Sequence, residues 1–272
     1  MAGAGGGDQQ EWSWCVDTGG LWIPARETPC LFENSIAQPF RSPDTPAALP
    51  SLLAPNPTLL LAPSLPQIIL SVAEHHANLV PWQLLAARTG AVLRHVRLTP
   101  DRTQLDMNHF RTLLSPRTRL ISLVHVSNVL GCVLDAAYVA EQARAVGARL
   151  LLDCCQSVPH SSLDVTTLGA DWIVASSHKF CGPSGVGFLW GSYELLEEMG
   201  PWMGGGEMIQ DVFLDHSTYA PPPARFEAGT PAIAETIGMG AAAEWLRELG
   251  MGRVHDYEQV RVERGVLGGL HS

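Results

Sequence analysis

The sequence has no Cys-x-x-Cys pair, and its six cysteines, at positions 15, 30, 132, 154, 155 and 181, form no regular framework. That spacing argues against both a zinc site and a disulfide scaffold, and it points to a reducing compartment. A basic cluster is also lacking: 17 Lys+Arg stand against 27 Asp+Glu, for a net charge of -10. Such a balance opposes binding to phosphate backbones and removes nucleic acid from the expected partners. The apolar stretches are interrupted by charge, Gly or Pro well short of the roughly 18 residues that cross a bilayer, so no membrane association is expected. The opening MAGAGGGDQQEWSWC has no basic segment leading into an apolar one, and its acids and tryptophans do not suit a transit peptide. No internal repeat is found.

What is present is enough apolar material, 46% of 272 residues, to bury the core of one large domain or two small ones. Residues 1–66 hold a Gly-rich opening and a stretch dense in Pro, Ser and Ala, whose prolines remove backbone donors and forbid regular helix, so this part is predicted to be mostly irregular. From Gln67 the pattern changes. QIILSVA, AVLRHV, RLISLVHVS, ARLLLDCC, DWIVASS and GVGFLWG read as strands. Residues 79–89, LDMNHFRTLLS, DAAYVAEQARAVG, 232–249 and about 251–267 read as helices. This alternation predicts an α/β fold with a mostly parallel sheet. In such sheets ligands collect at the carboxyl ends of the strands, which directs attention to residues 125–128, 153–156 and 176–179.

Lys179 follows an apolar strand and precedes a Gly/Pro turn in ASSHKFCGPSG. A lysine partly desolvated there, beside His178, suits Schiff-base chemistry, although a loop lysine is more often a solvated charge. Asp153 ends LLLD, where a buried carboxylate needs a donor or cation. A protonated ring nitrogen would serve, and so would a plain helix or turn cap. Gln156 and Asn128 are suited to donate to a phenolic oxygen or to act as ordinary loop hydrogen bonders. His75 and His76 follow a strand, where an imidazole stacks over a flat heteroaromatic ring or simply packs. GGGEM at 204–208 and FEAGTP at 226–231 offer backbone N–H groups and the Thr230 hydroxyl to an anion.

Taken together, AEHHANLVPWQ, HVSNVLG, DCCQSVPH, SSHKFCGPSGVGFLWG, GGGEMIQDVFLDHSTY and RFEAGTPA resemble, in order and spacing, the group II cysteine desulfurases and selenocysteine lyases, class V aminotransferase-like enzymes, and most of all the plastid type. The resemblance runs from about Gln67 to Tyr257. It implies the fold type I large domain, a mostly parallel sheet flanked by helices that binds pyridoxal 5'-phosphate (PLP). On that basis residues 1–66 are an irregular Pro/Gly-rich segment and 67–250 the PLP-binding core, while 251–272 form a helix leading toward a C-terminal small domain that is largely missing. It further implies a homodimer that converts L-cysteine, or selenocysteine, to alanine and passes sulfur as a persulfide to an acceptor protein of iron-sulfur cluster assembly. The implied location is the plastid stroma, or otherwise the cytoplasm.

Carried over by motif, Lys179 is the Schiff-base lysine, Asp153 the partner of the pyridine nitrogen and Gln156 the donor to the phenolic oxygen. His75 is the catalytic ring-stacking histidine, and Asn128 lies beside substrate and cofactor. Ser176 and His178 contact the phosphate, and Thr230 reaches the phosphate of the neighbouring subunit. No metal is implied. Two departures stand out. The family's persulfide-forming cysteine and carboxylate-binding arginines belong to a C-terminal part that this chain, ending at Ser272, does not reach, and packing is the expected role of Cys154, Cys155 and Cys181. Residues 1–66 also lack the family's phosphate-binding turn and helix start. Impaired sulfur transfer is therefore expected, and the alternative reading is a non-catalytic subunit that pairs with a full-length desulfurase and modulates it.

Overall fold

Strand β2 (Gln67–Ser71) is buried at every position, as its unbroken apolar run requires of a central strand. The computed structural model describes residues 20–24 and 65–269. Around β2 lie β3 (Val92–Val96), β4 (Thr118–Val124), β5 (Arg149–Asp153) and β6 (Trp172–Ser176), all parallel. Strand β7 (Gly187–Ser192) pairs antiparallel with β6, and β1 (Gly20–Pro24) pairs antiparallel with β7. The seven-stranded order is β1-β7-β6-β5-β4-β2-β3. The α/β architecture with a mostly parallel sheet is thus as the alternation predicts.

Side-chain alternation sorts the strands onto two faces. Ile69, Ile121, Leu123, Leu150, Leu152, Ile173 and Ala175 enter one core, while Ile68, Leu70, Leu120, Leu151, Trp172 and Val174 enter the other. Each large aliphatic side chain buried this way contributes about 1.5–3 kcal/mol. Helices α2 (Met107–Leu113), α3 (Ala136–Ala145) and α6 (Ile233–Leu249) send Phe110, Val139 and Leu246 into the first core. Helix α1 (Val80–Thr89) sends Trp82 and Leu85 into the second, joined by Leu196 from α5 (Tyr193–Glu198). Aspartates set two helix starts: Asp106 accepts from His109 N at 2.9 Å, and Asp135 from Tyr138 N at 3.0 Å.

The structure departs from the sequence reading in a few places. The segment 1–66, read as irregular, contributes a strand, β1, while residues 1–19 and 25–64 lie outside the described residues. A short helix, α4 (Val165–Leu168), was not anticipated, nor was α5. The segment after GGGEM forms a hairpin of β8 (Ile209–Val212) and β9 (Ser217–Tyr219). The final helix, α7 (Met251–Gly269), follows α6 directly and is tied to the body by His160 and Glu258 at 2.8 Å.

Candidate active site

The crossovers after β2 and β4 leave the sheet on opposite faces, because α1 packs into one core and α3 into the other. Adjacent strands whose connections diverge in this way leave a crevice at their carboxyl ends, the usual ligand position in an open α/β sheet. The loops at that crevice carry His75 and residues 125–128, and the ends of β5 and β6 extend it with Asp153 and Ser176.

Asp153 is 5% exposed and pairs in register with Val124 and Val174. Its Oδ1 accepts from Cys155 N at 2.9 Å, so the turn-cap reading holds for one oxygen. Among the described residues Asp153 has no ion-pair partner. A buried carboxylate in that state favours a cation at its remaining oxygen. Cys155 bridges toward the next strand, its Sγ lying 3.7 Å from Ser176 Oγ. The Cys155 thiol is pushed well up by burial and the Asp153 charge, with Lys179 acting in the opposite sense. Through Cys155, then, Asp153, Ser176 and Lys179 act on one locus.

Lys179 sits in a one-turn 3-10 helix, Ser177–Phe180, directly after β6. It is half-buried, and among the described residues its amine makes no hydrogen bond or ion pair. One signal in the sequence had gone unused: Lys179 is the only lysine among all 272 residues. The turn is held on two sides. Ser177 N donates to Val186 O at 3.0 Å, and α6 approaches so closely that a Cβ on Gly238 would meet Pro183 Cγ at 2.7 Å. His178 projects to solvent beside it. Cys181 ends the turn at φ 68 and is exposed, unlike the buried Cys154 and Cys155, because the left-handed backbone turns its side chain outward. The packing role expected of Cys181 is therefore corrected.

On the other side of the crevice His75 caps the short helix His76–Asn78, its Nδ1 accepting from Ala77 N at 3.2 Å. In the neutral ring this puts the proton on Nε2. Glu74, which the sequence reading passed over, closes that turn: Oε1 accepts from Ser71 Oγ at 2.5 Å and Oε2 from Asn78 Nδ2 at 2.6 Å. Burial pushes the Glu74 carboxyl up to about 7, against the lowering effect of its hydrogen bonds.

The remaining candidates are less gathered. Gln156 is half-buried and Asn128 exposed, and among the described residues neither side chain makes a hydrogen bond. Thr230 is exposed on the loop before α6. The two Gly-rich runs do meet, with Gly229 N donating to Gly206 O at 2.7 Å. His125, just after β4, is buried, its Nδ1 has no hydrogen-bond partner among the described residues, and burial holds its pKa down.

The site and the fold define a class of α/β protein with its ligand at a parallel sheet's switch point, and comparison with known proteins gives the family. The chain belongs to the class-V aminotransferase family, which matches residues 62–267. A probable cysteine desulfurase of Synechocystis sp. is 55% identical over 192 residues, 71% of this chain and 46% of the relative. One of Streptomyces coelicolor is 45% identical over 200 residues, 74% of this chain and 48% of the relative. Among solved structures, an Escherichia coli cysteine desulfurase in an S-sulfonic acid form superimposes with a TM-score of 0.72 at 36% identity, covering 85% of this chain and 53% of that one. An apo cysteine desulfurase of Thermococcus onnurineus gives 0.75 at 29% identity, covering 91% and 57%. The chain spans about half the length of the curated relatives it matches.

Proposed function

We propose that this chain is the cofactor-carrying part of a PLP-dependent cysteine desulfurase of the group II type. The observation that supports this most is the convergence of a buried, ion-unpaired Asp153 with a half-buried Lys179, the sequence's only lysine, at the carboxyl edge of the sheet. These residues fit PLP: the carboxylate wants a cation, and among the described residues the amine is unengaged.

When bound, PLP supplies an electron-accepting ring that weakens bonds at the α-carbon of an amino acid. The residues around it divide the remaining work. Asp153 would hold a proton on the ring nitrogen through its carboxylate, which Cys155 N anchors at Oδ1. Lys179 would be the residue that holds the cofactor's aldehyde end, its amine placed to take or return a proton. Ser176 and His178 would bind the phosphate, Gln156 would donate to the phenolic oxygen, and Asn128 would orient substrate. His75 would pack against the ring, with Nε2–H as its remaining donor. Thr230, exposed as it is, would serve the phosphate of a second subunit in a homodimer.

Release of the cysteine sulfur as a persulfide requires a thiolate acceptor. Burial raises the thiol pKa of Cys132, Cys154 (to about 12) and Cys155, which leaves them protonated at neutral pH. These three thiols are therefore not expected to accept the sulfur, and the expectation from the motif resemblance is a chain that binds PLP and releases sulfur from cysteine weakly or not at all. Alanine formation from L-cysteine, with an added dithiol reductant supplying the two electrons that carry the released sulfur to sulfide, tests this for the wild type and Lys179→Ala. Lysine-independent turnover would contradict the assignment. Delivery of sulfur to an iron-sulfur assembly protein and residence in a plastid are part of the same proposal and rest on the motif resemblance.

A second reading, a subunit that pairs with and modulates a full-length desulfurase, is favoured by one observation. Helix α6 leaves Ile233, Ile237, Trp245 and Leu249 exposed at intervals of four and eight residues. Co-purification with a full-length homologue at micromolar concentration would support it, and absence of a complex would remove it.

A further inference from the structure

Glu74 belongs to a chain of buried polar contacts that runs away from the site. Its Oε1 takes the Ser71 hydroxyl from the end of β2, and its Oε2 takes the Asn78 amide. Asn78 Oδ1 in turn accepts from Ser122 Oγ on β4 at 2.6 Å and from Trp82 Nε1 on α1 at 3.0 Å. Ser71 Oγ also accepts from Ala73 N at 3.1 Å. Asn78, Ser71 and Ser122 are all buried, and Trp82 is 1% exposed. One carboxyl thus bridges residues 71 and 78, and the backbone between those two points carries His75.

The groups acting on Glu74 come from each neighbouring element. Ser71 belongs to β2, Asn78 to the turn itself and the Val124 backbone to β4, while the negative charge of Asp153 acts from β5. The two hydrogen bonds and the Val124 backbone lower its pKa, whereas Asp153 and the enclosure of the carboxyl, though the residue keeps some exposed surface, raise it to about 7. A neutral Glu74 leaves Asp153 as the sole buried carboxylate charge of this pair, the one that would face a cationic ring.

We propose that Glu74 is the positioning residue of the site, a buried carboxyl whose bridge from Ser71 to Asn78 fixes the orientation and tautomer of His75. This rests on the PLP reading for its consequence in binding, but its geometric content is independent of it. A glutamine at position 74 has the shape of the protonated acid. It accepts from Asn78 through oxygen and donates to Ser71 through nitrogen, so the bridge survives. Alanine removes both contacts and leaves the Asn78 amide unsatisfied.

The test uses the full chain as Glu74→Gln, Glu74→Ala and Ser71→Ala. Imidazole nitrogen NMR of the cofactor-free protein reports the His75 tautomer, and absorbance titration with PLP reports affinity. Glu74→Gln is expected to keep the single Nε2–H tautomer of wild type and its PLP affinity within about twofold. Glu74→Ala is expected to give a mixture of tautomers and about tenfold weaker binding, with Ser71→Ala between them and usable if Glu74→Ala does not fold. A wild-type tautomer in both Glu74→Ala and Ser71→Ala overturns the inference, and so does a Gln variant that behaves like the Ala variant. If wild type does not bind PLP, the functional reading fails by itself, and the tautomer comparison still decides the role of Glu74.

Discussion

Asp153 and Glu74 are both enclosed carboxyls, yet their surroundings give them opposite roles. Asp153 is held by Cys155, whose N donates to its Oδ1, and has no counter-ion among the described residues. Removing its charge should relieve the cofactor-free chain while harming the site. Asp153→Asn is expected to raise the cofactor-free melting temperature and to weaken PLP binding roughly ten- to hundredfold, the range of a lost charge-assisted hydrogen bond; a variant that binds PLP like wild type would contradict its role. For Glu74 the expected effect is on pH dependence. Its carboxyl is held protonated up to about 7 in the fold, against 4.5 ordinarily, so between those values the native state binds the extra proton. The stability this group contributes is full below the lower value and is lost as pH rises through about 7, by at most roughly 3 kcal/mol. His125 acts in the opposite sense: burial lowers its pKa, so its contribution is present above its ordinary value and lost as pH falls. Melting curves of wild type and Glu74→Gln therefore should diverge across this range, and parallel curves would contradict the assignment. Asp153 and Lys179 were legible in the sequence because each ends or follows an apolar strand in a recognisable motif. Glu74 was not, because nothing in AEHHAN signals that its carboxyl folds back onto Ser71 and Asn78.

Among the elements, β6 and β7 determine where Lys179 sits. The two strands approach so closely at Gly187 that an added Cβ would lie 2.5 Å from the Ala175 carbonyl oxygen, one residue before Ser176. Gly187→Ala should therefore cost about 1–3 kcal/mol and disturb the site, while Gly204→Ala, with nothing within 4 Å of its Cβ, should fall within about 0.5 kcal/mol of wild type. Equal unfolding midpoints for the two would contradict the close-packing account. The same strands explain what the sequence disclosed. Runs such as QIIL and RLLLD are buried on both faces, and such runs announce central parallel strands. Strand β1 gave no such signal, because GLWIP is a short run bounded by Gly and Pro, outside the alternating pattern that begins at Gln67, and it pairs along one edge with β7. The β8–β9 hairpin was hidden for a related reason: Val212, Phe213 and Leu214 are exposed, so no buried face imposes a period of two.

For the molecule as a whole, the fold places the convergent residues at one sheet edge, while the family match covers residues 62–267 of a chain that spans about half the length of its curated relatives. Cofactor binding is therefore the property this chain can be asked about directly, apart from the complete desulfurase reaction. Lys179 makes the question unusually clean, since no other lysine in the sequence can react. The decisive measurement is mass spectrometry of the intact chain after incubation with PLP and borohydride, followed by peptide mapping, for wild type and Lys179→Ala. The account predicts one pyridoxyl phosphate per chain, on the peptide containing Lys179, and none in the variant. An unmodified wild-type chain, or equal labelling of the variant, would contradict it.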